Sequence, residues 1–337
     1  MTKSRECSLS WPPESESPEL SVLVVIVNYK TPDLTINCLT SLHAEALSTD
    51  GITVTIADNC SGDGSAERIG REIELRGWSF WARVVALPHN GGFAYGNNKG
   101  IEASPAARFI LLLNSDTIVH PGCVRHCLEA MAAEPSAGVM SCNVLNRDGT
   151  VQNVCRRFPT PLKTMICTLG LPWKLPWLFG WAITEDLCWD RATTSRNVDW
   201  LGGAFLFIRR EVLTLAGGLD EEFFFYGEDV EFSYRLKKLG YGRLYKPGAT
   251  ITHLGGASSD PSRMPAADRS VHHWRGRYLV QRKCYGSVAA AAVRTVDVIM
   301  LTLRLGVERL AGRQGEAGFA QRADTLRMLL RPLRSSV

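Results

Sequence analysis

Acidic residues stand at two places in the sequence where their position suggests chemistry rather than packing. The first is Asp116, which ends the apolar run RFILLLNSD. A carboxylate at the tip of a buried strand is well placed to hold Mg²⁺ or Mn²⁺, since these hard cations prefer oxygen ligands. Such a cation would neutralise a pyrophosphate leaving group. The alternative is an ordinary turn, because Asn114, Ser115 and Asp116 all favour turns.

The second place is the adjacent pair Glu228 and Asp229 in the segment FFFYGEDVEF. Two carboxylates directly behind four aromatic residues are unusual for a solvated surface. One interpretation is a general base that takes the proton of an attacking hydroxyl, because an apolar surround raises the pKa of a carboxyl. The other is the first turn of a helix, where the helix dipole favours acidic residues.

Three further segments of the sequence contain polar residues or glycines that could bind a ligand or have a structural role. His253 ends a strand pattern, and a lone histidine is usually structural. Asp58 ends another apolar run and could accept a hydrogen bond from a pyrimidine N–H, while Asp63 and Ser65 could cap the next helix. The loop NGGFAYGNNKG has neither the dinucleotide-binding glycine order nor the end of a P-loop. Its glycines would instead let the backbone approach a ligand closely.

Alternating strand and helix patterns indicate how these residues would be brought together. Buried strands are predicted over 21–29, 52–59, 81–88 and 108–116, with helices between them. This alternation predicts an α/β, Rossmann-like, mainly parallel sheet flanked by helices. Ligands of such sheets bind beyond the carboxyl ends of the strands, and Asn28, Asp58, Asn90 and Asp116 fall at those ends.

The alternation stops near residue 140. A strand is predicted over 200–210 and a short helix over 211–218. A longer helix begins near Glu228, and GRLYKPGATITHLGG is interpreted as a pair of strands that ends at His253. Before these elements, residues 155–198 are rich in Pro and Trp, with WKLPWLFGWAI at the centre of that stretch.

The predicted domain organisation has three parts. Residues 1–20 are rich in Pro, Ser and Glu and are expected to be a disordered leader. A catalytic domain is expected over 21–256, with a nucleotide-sugar half over 21–140 and an acceptor half over 141–256. Residues 257–337 are expected to form a basic, helical C-terminal region.

Composition limits the class of protein. The 337 residues carry a net charge of +4, which is too small to indicate nucleic-acid binding. The ten cysteines form no CxxC-type pairs, so reduced thiols in the cytoplasm are favoured over a zinc site at Cys123 and Cys127. Neither a signal-peptide core nor an uncharged apolar run of about 18 residues occurs, so no membrane-spanning helix is predicted.

Several motifs follow one another in a fixed order over residues 21–256. They are VVIVNYKT, ADNCSGDGS, NGGFAYGNNKG, LLLNSD, WLGGAFLFIRR, FFFYGEDVEFSYRLKKLGY and the histidine of THLGG. Each motif is weak alone, but the ordered set resembles the family-2 glycosyltransferases with a GT-A fold, and within them the rhamnosyltransferase-like branch. This resemblance implies an inverting, metal-dependent transfer of a sugar from a nucleotide-sugar donor to an acceptor hydroxyl.

The resemblance also implies roles for single residues. Asp229 would be the catalytic base, with Glu228 beside it contacting acceptor or sugar. Asp116 and His253 would hold a divalent cation, Mg²⁺ or Mn²⁺, and Asn114 stands where many members have Asp, which leaves one carboxylate fewer on the cation. The implied nucleotide-sugar-binding residues are Asn28, Tyr29, Asp58, Asn90, Gly91, Asn97, Lys99, Asn114, Ser115 and Asp116. The implied acceptor-binding residues are Trp200, Gly202 and Gly203.

The resemblance implies deoxythymidine diphosphate–rhamnose as donor and a bacterial glycan or polyprenyl-linked glycan as acceptor. A uridine diphosphate sugar, used by galactofuranosyltransferases of the same fold, is the alternative donor. A sugar-nucleotide pyrophosphorylase would need a Gly-rich basic loop where this sequence has NYKTPDL. A non-catalytic glycan-binding relative stays open, although Asp116, Asp229 and His253 are intact. A hydrolase lacks support, because no G-x-S-x-G element is present.

The C-terminal region carries a second prediction. Residues 287–310 are expected to form an amphipathic helix in which Arg294, Asp297, Arg304 and Arg309 prevent spanning. A basic amphipathic helix can lie in the headgroup layer of an anionic membrane. The alternatives are packing on the catalytic domain or a homodimer interface. The membrane interpretation would place the protein in the cytoplasm, peripheral on the inner face of the membrane.

Overall fold

The computed structural model describes residues 21–104, 107–186, 193–255, 266–315 and 318–331. The predicted leader over 1–20 lies outside the described residues. Elements of the first half alternate, as β1 (Val22–Asn28), α1 (Pro32–Ser48), β2 (Ile52–Asp58), α2 (Ser65–Leu75), β3 (Ala82–Ala86), α3 (Gly92–Glu102), β4 (Phe109–Asn114), β5 (Thr117–Val119), α4 (Cys123–Ala133) and β6 (Ala137–Asn146).

The second half has shorter strands and more helices. Its elements are β7 (Cys155–Arg156), α5 (Pro161–Thr168), α6 (Leu171–Lys174), α7 (Pro176–Phe179), β8 (Arg196–Asn197), β9 (Trp200–Leu201), β10 (Phe205–Arg209), α8 (Arg210–Ala216), α9 (Glu228–Lys238), β11 (Gly242–His253), α10 (Ala266–Tyr285), α11 (Ser287–Leu310) and α12 (Phe319–Leu330). A 3₁₀ turn over Gly180–Ala182 follows α7.

A mixed sheet organises the molecule, with the strand order β3-β2-β1-β4-β10-β6-β11-β5 and β8 paired with β11. The strands β3, β2, β1 and β4 are parallel, because each is reached by a helical crossover. The strand β10 enters antiparallel between β4 and β6. The continuous apolar runs of β1 and β2 are buried nearly throughout, as expected of strands covered on both faces. The predicted α/β architecture is confirmed.

Two sequence predictions of strands were wrong. The expected strand over 200–210 is split at Gly202 and Gly203, so that β9 pairs with β7 in a separate small sheet and β10 joins the main sheet. The N–H of Gly203 donates to the Asp229 carboxylate instead of a neighbouring strand. The expected strand pair over 242–256 is one strand, β11, whose two halves pair with β6 across a bulge between Tyr245 and Thr250.

The helix α10 packs on the body of the sheet. Its side chains Leu279, Val280 and Cys284 share a buried apolar cluster with Phe158 and Val230. Gly276 lies so close to the backbone that an added Cβ would come 2.1 Å from the Tyr226 carbonyl oxygen. This part of the predicted C-terminal region therefore belongs to the packed body of the protein.

Candidate active site

A cavity of about 640 Å³ opens beyond the carboxyl ends of β1 and β4, the edge at which the sequence placed its polar residues. The predicted site residues that line the cavity are Tyr29, Asn90, Asn114, Ser115, Asp116, Trp200, Gly202, Gly203, Glu228, Asp229 and His253. The strand ends bring the 114–116 motif to one part of the wall, and the start of α9 brings the two carboxylates of 228–229 to another.

Asp116 and His253 meet at the end of β4, where His253 closes β11. The Asp116 carboxylate oxygen Oδ1 lies 3.2 Å from His253 Nε2, and both side chains are largely buried. On the other side of the ring, His253 Nδ1 lies 2.9 Å from Gln152 Oε1. Because a carbonyl oxygen only accepts, Nδ1 carries the proton in this contact, and the lone pair of Nε2 points to the Asp116 side.

This donor set fits a divalent cation. A carboxylate oxygen and an imidazole lone pair converge, and the outer nitrogen of the imidazole is held by a hydrogen bond, as is usual for a metal-binding histidine. The Asn114 amide nitrogen lies 3.3 Å from Nε2. No group of three or more His, Cys, Asp and Glu side chains that could hold a metal converges among the described residues.

Glu228 and Asp229 begin the helix α9 directly after Gly227, whose φ of 104° places it in the left-handed region. The two Asp229 oxygens accept from the backbone N–H groups of Val230, at 2.8 Å, and Gly203, at 3.1 Å. Burial raises the pKa of the Asp229 carboxyl to about 6. Burial, and then the neighbouring Asp229 charge, raise the pKa of Glu228 to about 8.

The structure shows the acidic pair at a helix start, and its role as a general base stays a prediction. The carboxylates stand in the first turn of a helix, and they also line the cavity. Desolvation outweighs the helix dipole, because the pKa of each carboxyl rises. At neutral pH Asp229 is mostly ionised and can take a proton, whereas Glu228 is mostly protonated and can donate one to a bound group.

The glycine-rich loop is fixed against the aromatic segment that precedes Glu228. Gly92 has a φ of 88°, and an added Cβ would come 2.2 Å from the Phe224 carbonyl oxygen. The same carbonyl accepts from the N–H of Phe93 at 2.9 Å. Asn90 closes the turn by accepting from the N–H of Gly92. Gly92 thus joins the loop to the aromatic segment and also lines the cavity, and the close approach of the loop to a ligand stays a prediction.

Some predicted residues are not brought to the cavity. Asn28 donates to Asp58 at 2.6 Å, and both are buried, so this pair joins the ends of β1 and β2. Asp58 also accepts from the backbone and the hydroxyl of Ser61. The Asn97 amide donates to the Phe93 carbonyl within α3. Lys99 forms an ion pair with Glu102 on the surface. Gly91 directly precedes Gly92 in the loop.

Several other residues line the cavity that were not predicted from the sequence. Asn59 lines the cavity next to Asp58, and its amide donates to the Gly92 carbonyl at 2.9 Å. Arg156 lies over the ring of Trp200. The helix α10 contributes His273, Arg277 and Gln281 to the wall. Asn59 could have been found from its place directly after β2, but no spacing connects α10 with the other motifs.

The structure shows the state of the cysteines and of the predicted C-terminal helix. The described cysteines are free thiols, and most of them are buried. Cys123 and Cys127 lie with Cys142, and none of these thiols belongs to a possible metal cluster in the described ranges.

The predicted helix over 287–310 is present as α11. Among the described residues, no helix is both long and apolar enough to span a membrane.

Known proteins resemble this chain over most of its length. The family described as "Glycosyltransferase like family 2" matches residues 18–274. An N-acetylglucosaminyl-diphospho-decaprenol L-rhamnosyltransferase of Mycobacterium tuberculosis is 29% identical over 236 residues, which cover 66% of this chain and 72% of the relative. A low-salt glycan biosynthesis hexosyltransferase of Haloferax volcanii is 27% identical over 220 residues, which cover 64% of this chain and 61% of the relative.

A solved structure supports the fold. The mannosyltransferase of Pyrobaculum calidifontis in complex with GDP-Man and Mn²⁺ matches with a TM-score of 0.54 at 14% identity, over 92% of this chain and 84% of its own. At this identity the likeness shows the fold alone, which is the GT-A fold predicted from the sequence. With the match over residues 18–274, it follows that the chain belongs to glycosyltransferase family 2, and its relatives support the rhamnosyltransferase-like branch.

Proposed function

We propose that this protein is an inverting, metal-dependent rhamnosyltransferase that transfers L-rhamnose from deoxythymidine diphosphate–rhamnose to a hydroxyl of a lipid-linked glycan. The observation that carries the proposal is Asp229, a half-buried carboxylate in a cavity that also holds the Asp116–His253 pair. The Mycobacterium tuberculosis relative, whose name specifies a rhamnosyl group and a decaprenol-linked acceptor, supports the choice of donor and acceptor.

Asp229 takes the proton of the acceptor hydroxyl in the proposed reaction. Its two oxygens are oriented by the N–H groups of Val230 and Gly203, so the carboxylate keeps one direction when the substrate arrives. Burial raises the pKa of Asp229 to about 6, which makes it a stronger base than an ordinary aspartate and leaves it ionised at neutral pH. The acceptor oxygen then attacks the anomeric carbon from the face opposite the diphosphate, and the configuration inverts.

Glu228 supports this step as a neutral acid. Its pKa is raised to about 8, and its Oε2 atom has no hydrogen-bond partner among the described residues although it is buried. A protonated carboxyl can donate a hydrogen bond to a sugar or acceptor oxygen. A neutral Glu228 also leaves Asp229 as the single negative charge of the pair.

Asp116 and His253 would hold the divalent cation, with Gln152 orienting the imidazole. A cation bound there would neutralise the charge that develops on the diphosphate as it leaves. Tyr29, Asn59 and Asn90 lie on the same wall and are proposed to contact the nucleotide. The remaining predicted contacts, including the nucleobase role of Asp58, stay predictions, because that side chain is turned inward to Asn28 and Ser61.

A lipid-linked acceptor requires the protein to work at a membrane surface. We propose that it acts in the cytoplasm, peripheral on the inner face of the membrane, with α11 in contact with lipid. One side of α11 packs on the protein through Val293 and Asp297, which are buried. The opposite side is exposed and apolar. A homodimer through this side is the competing proposal.

The test is a transfer assay with a panel of donors. The purified protein is incubated with Mn²⁺, a diphospholipid-linked N-acetylglucosamine acceptor and the rhamnose, galactofuranose or mannose nucleotide. We expect product with the rhamnose donor alone, and proton NMR of the product should show the anomeric configuration opposite to that of the donor.

Other outcomes of this assay are equally informative. Transfer from uridine diphosphate–galactofuranose alone would keep the class of enzyme and replace the donor. Retained anomeric configuration would remove the single-displacement mechanism. No transfer from any donor, with no nucleotide binding, would favour a non-catalytic glycan-binding protein.

A further inference from the structure

An exposed group of large apolar side chains lies over residues 162–181, away from the strands that form the catalytic cavity. Trp173, Trp177 and Trp181 are exposed to 68%, 81% and 48%. We call this group the tryptophan patch; its members are Leu162, Leu169, Trp173, Leu175, Trp177, Leu178 and Trp181. Exposed aromatic residues at this density on a protein surface mark a place where a partner or a lipid surface binds.

The patch stands on a folded support. The helices α6 and α7 each have Pro in their first turn, and Pro172 is buried beneath them. The Cys167 thiol contacts the carbonyl of Ala182 at 3.4 Å, and Ala182 is fully buried. The tryptophans are therefore presented outward by ordered turns.

The adjoining helix α11 exposes several large apolar side chains beside the polar Thr295, Thr302 and Arg309. Its side chains Ile299, Leu303, Val307 and Leu310 are exposed, whereas its carboxylate Asp297 is buried. Asp297 is held by Arg277 at 3.0 Å and Tyr278 at 2.9 Å, both from α10. The Thr168 hydroxyl of α5 donates to it at 2.6 Å. These contacts fix α11 against α5 and α10. They leave Ile299, Leu303, Val307 and Leu310 exposed.

The exposed charges nearest these apolar side chains include basic ones. Lys174 is exposed within the patch and Arg309 along α11, where Arg304 is also exposed but pairs with Glu308. Tryptophan prefers the boundary between headgroups and acyl chains, and basic side chains at that depth are attracted to anionic lipids. The chemistry on this surface matches an anionic bilayer.

The patch is also connected to the catalytic cavity. The helix α5 contributes to both: Thr164 lines the cavity together with Pro159, which precedes the helix, whereas Leu162 and Leu169 belong to the patch. Gln281 of α10 fixes the start of α5 by donating to the Pro159 carbonyl at 2.7 Å. With its eight residues, α5 spans about 12 Å.

We propose that the tryptophan patch, with the outward side of α11, seats the protein in the headgroup layer of an anionic bilayer. The acceptor wall of the cavity then lies about one short helix from the lipid. The proposal rests on the proposed function for the identity of the acceptor, but the lipid binding itself is independent of it.

The test uses flotation of the full chain with vesicles of phosphatidylcholine alone or with added phosphatidylglycerol. The native protein should float with the phosphatidylglycerol vesicles and much less with the neutral ones. The triple variant W173A/W177A/W181A should lose at least about tenfold in partitioning, because each removed ring reduces the apolar area that leaves water. The matched control is L75A/F80A, which removes two exposed apolar side chains elsewhere and should partition as the native protein does.

Nucleotide binding shows that the variants are folded, and it separates the two proposals. If the native protein floats but transfers no rhamnose, the proposed function fails and the membrane surface stands. Unchanged flotation of the triple variant would overturn the assignment to the patch. Absence of native flotation would overturn lipid binding altogether. A native dimer in sedimentation velocity that becomes monomeric in the triple variant would assign the patch to a second copy of the chain.

Discussion

The two sides of the cavity are built in different ways. On the side proposed for the nucleotide, the wall comes from the ends of neighbouring parallel strands, and buried polar side chains such as Asn28 and Asp58 bind each other. On the side proposed for the acceptor, the wall comes from short segments distant in sequence, and α10 completes it. There the buried atoms Glu228 Oε2 and Gln281 Oε1 have no hydrogen-bond partner among the described residues.

The polar residues of the two sides therefore have different roles, structural on the first side and proposed to be catalytic on the second. On the side proposed for the nucleotide, Asn28 and Asp58 join the ends of β1 and β2, whereas Tyr29, Asn90 and Asp116 line the cavity. The acceptor side holds desolvated groups whose protonation can change near neutral pH, as the raised pKa values of Glu228 and Asp229 indicate. Substitutions on the acceptor side should therefore change catalysis, whereas those on the nucleotide side should change binding or stability.

The largest effect is expected for Asp229→Asn, which removes the base and keeps the shape of the side chain. Turnover should fall by about 10²- to 10⁴-fold. Nucleotide affinity should change little, since the amide keeps an oxygen for the N–H of Gly203. Single-turnover transfer and calorimetry on the same preparation measure the two quantities. The control is Asp50→Asn, an exposed carboxylate beyond α1.

The pH dependence of turnover in the native enzyme also tests the role of Asp229. Because the base acts in its ionised form, turnover should decrease as the pH falls below about 6, the value to which burial raises the pKa of Asp229. A pH profile that continues at full rate down to pH values near 4 would show that Asp229 is not the base.

The next effect is expected for Gln152→Leu, which removes the partner of His253 Nδ1 without touching the cation site. The imidazole would lose its fixed tautomer, and metal-dependent nucleotide binding should weaken by about tenfold or more. Calorimetry with Mn²⁺ measures the change, and the exposed Gln314→Leu serves as the matched control. Equal affinity of native protein and variant would exclude a role for the Gln152–His253 hydrogen bond.

A smaller effect of opposite sign is expected for Glu228→Gln, which should stabilise the fold. The folded-state pKa of Glu228 is raised from 4.5 to about 8, so the unfolded chain releases its proton more readily and native stability falls as the pH rises between these values. The gain in melting temperature should therefore grow from pH 5 to pH 8 and level off above. A gain that is the same at every pH would mean that desolvation of the charge is not the cause.

The smallest effect is expected for Lys99→Ala. The sequence analysis assigned Lys99 to the nucleotide, but the structure pairs it with Glu102 on the surface, where an ion pair contributes little. Donor affinity should stay within about twofold of the native value, at the level expected of an exposed pair. A clear loss of affinity in calorimetry would return Lys99 to the donor site.

Much of the fold could be predicted from the sequence, because the runs of β1, β2 and β4 are β-branched or apolar throughout and the loops between them carry strong turn residues. The convergence of Asp116, Asp229 and His253 on one cavity was also predictable from their motifs. The break of 200–210 was not, since the Gly203 N–H is diverted to a side chain far along the chain. The wall formed by Arg277 and Gln281 was missed because residues inside a long helical pattern give no sign of the surface they will face.

Calorimetric titration with deoxythymidine diphosphate is the decisive measurement for the proposed metal-dependent transferase. It is made with Mn²⁺, with Mg²⁺ and with chelator, on the native protein and on Asp116→Ala. We expect binding that depends on the cation, that is much weaker for Asp116→Ala, and that exceeds binding of the uridine, guanosine and adenosine diphosphates. Binding that is indifferent to chelator and to Asp116, or no binding of any nucleoside diphosphate, would contradict it.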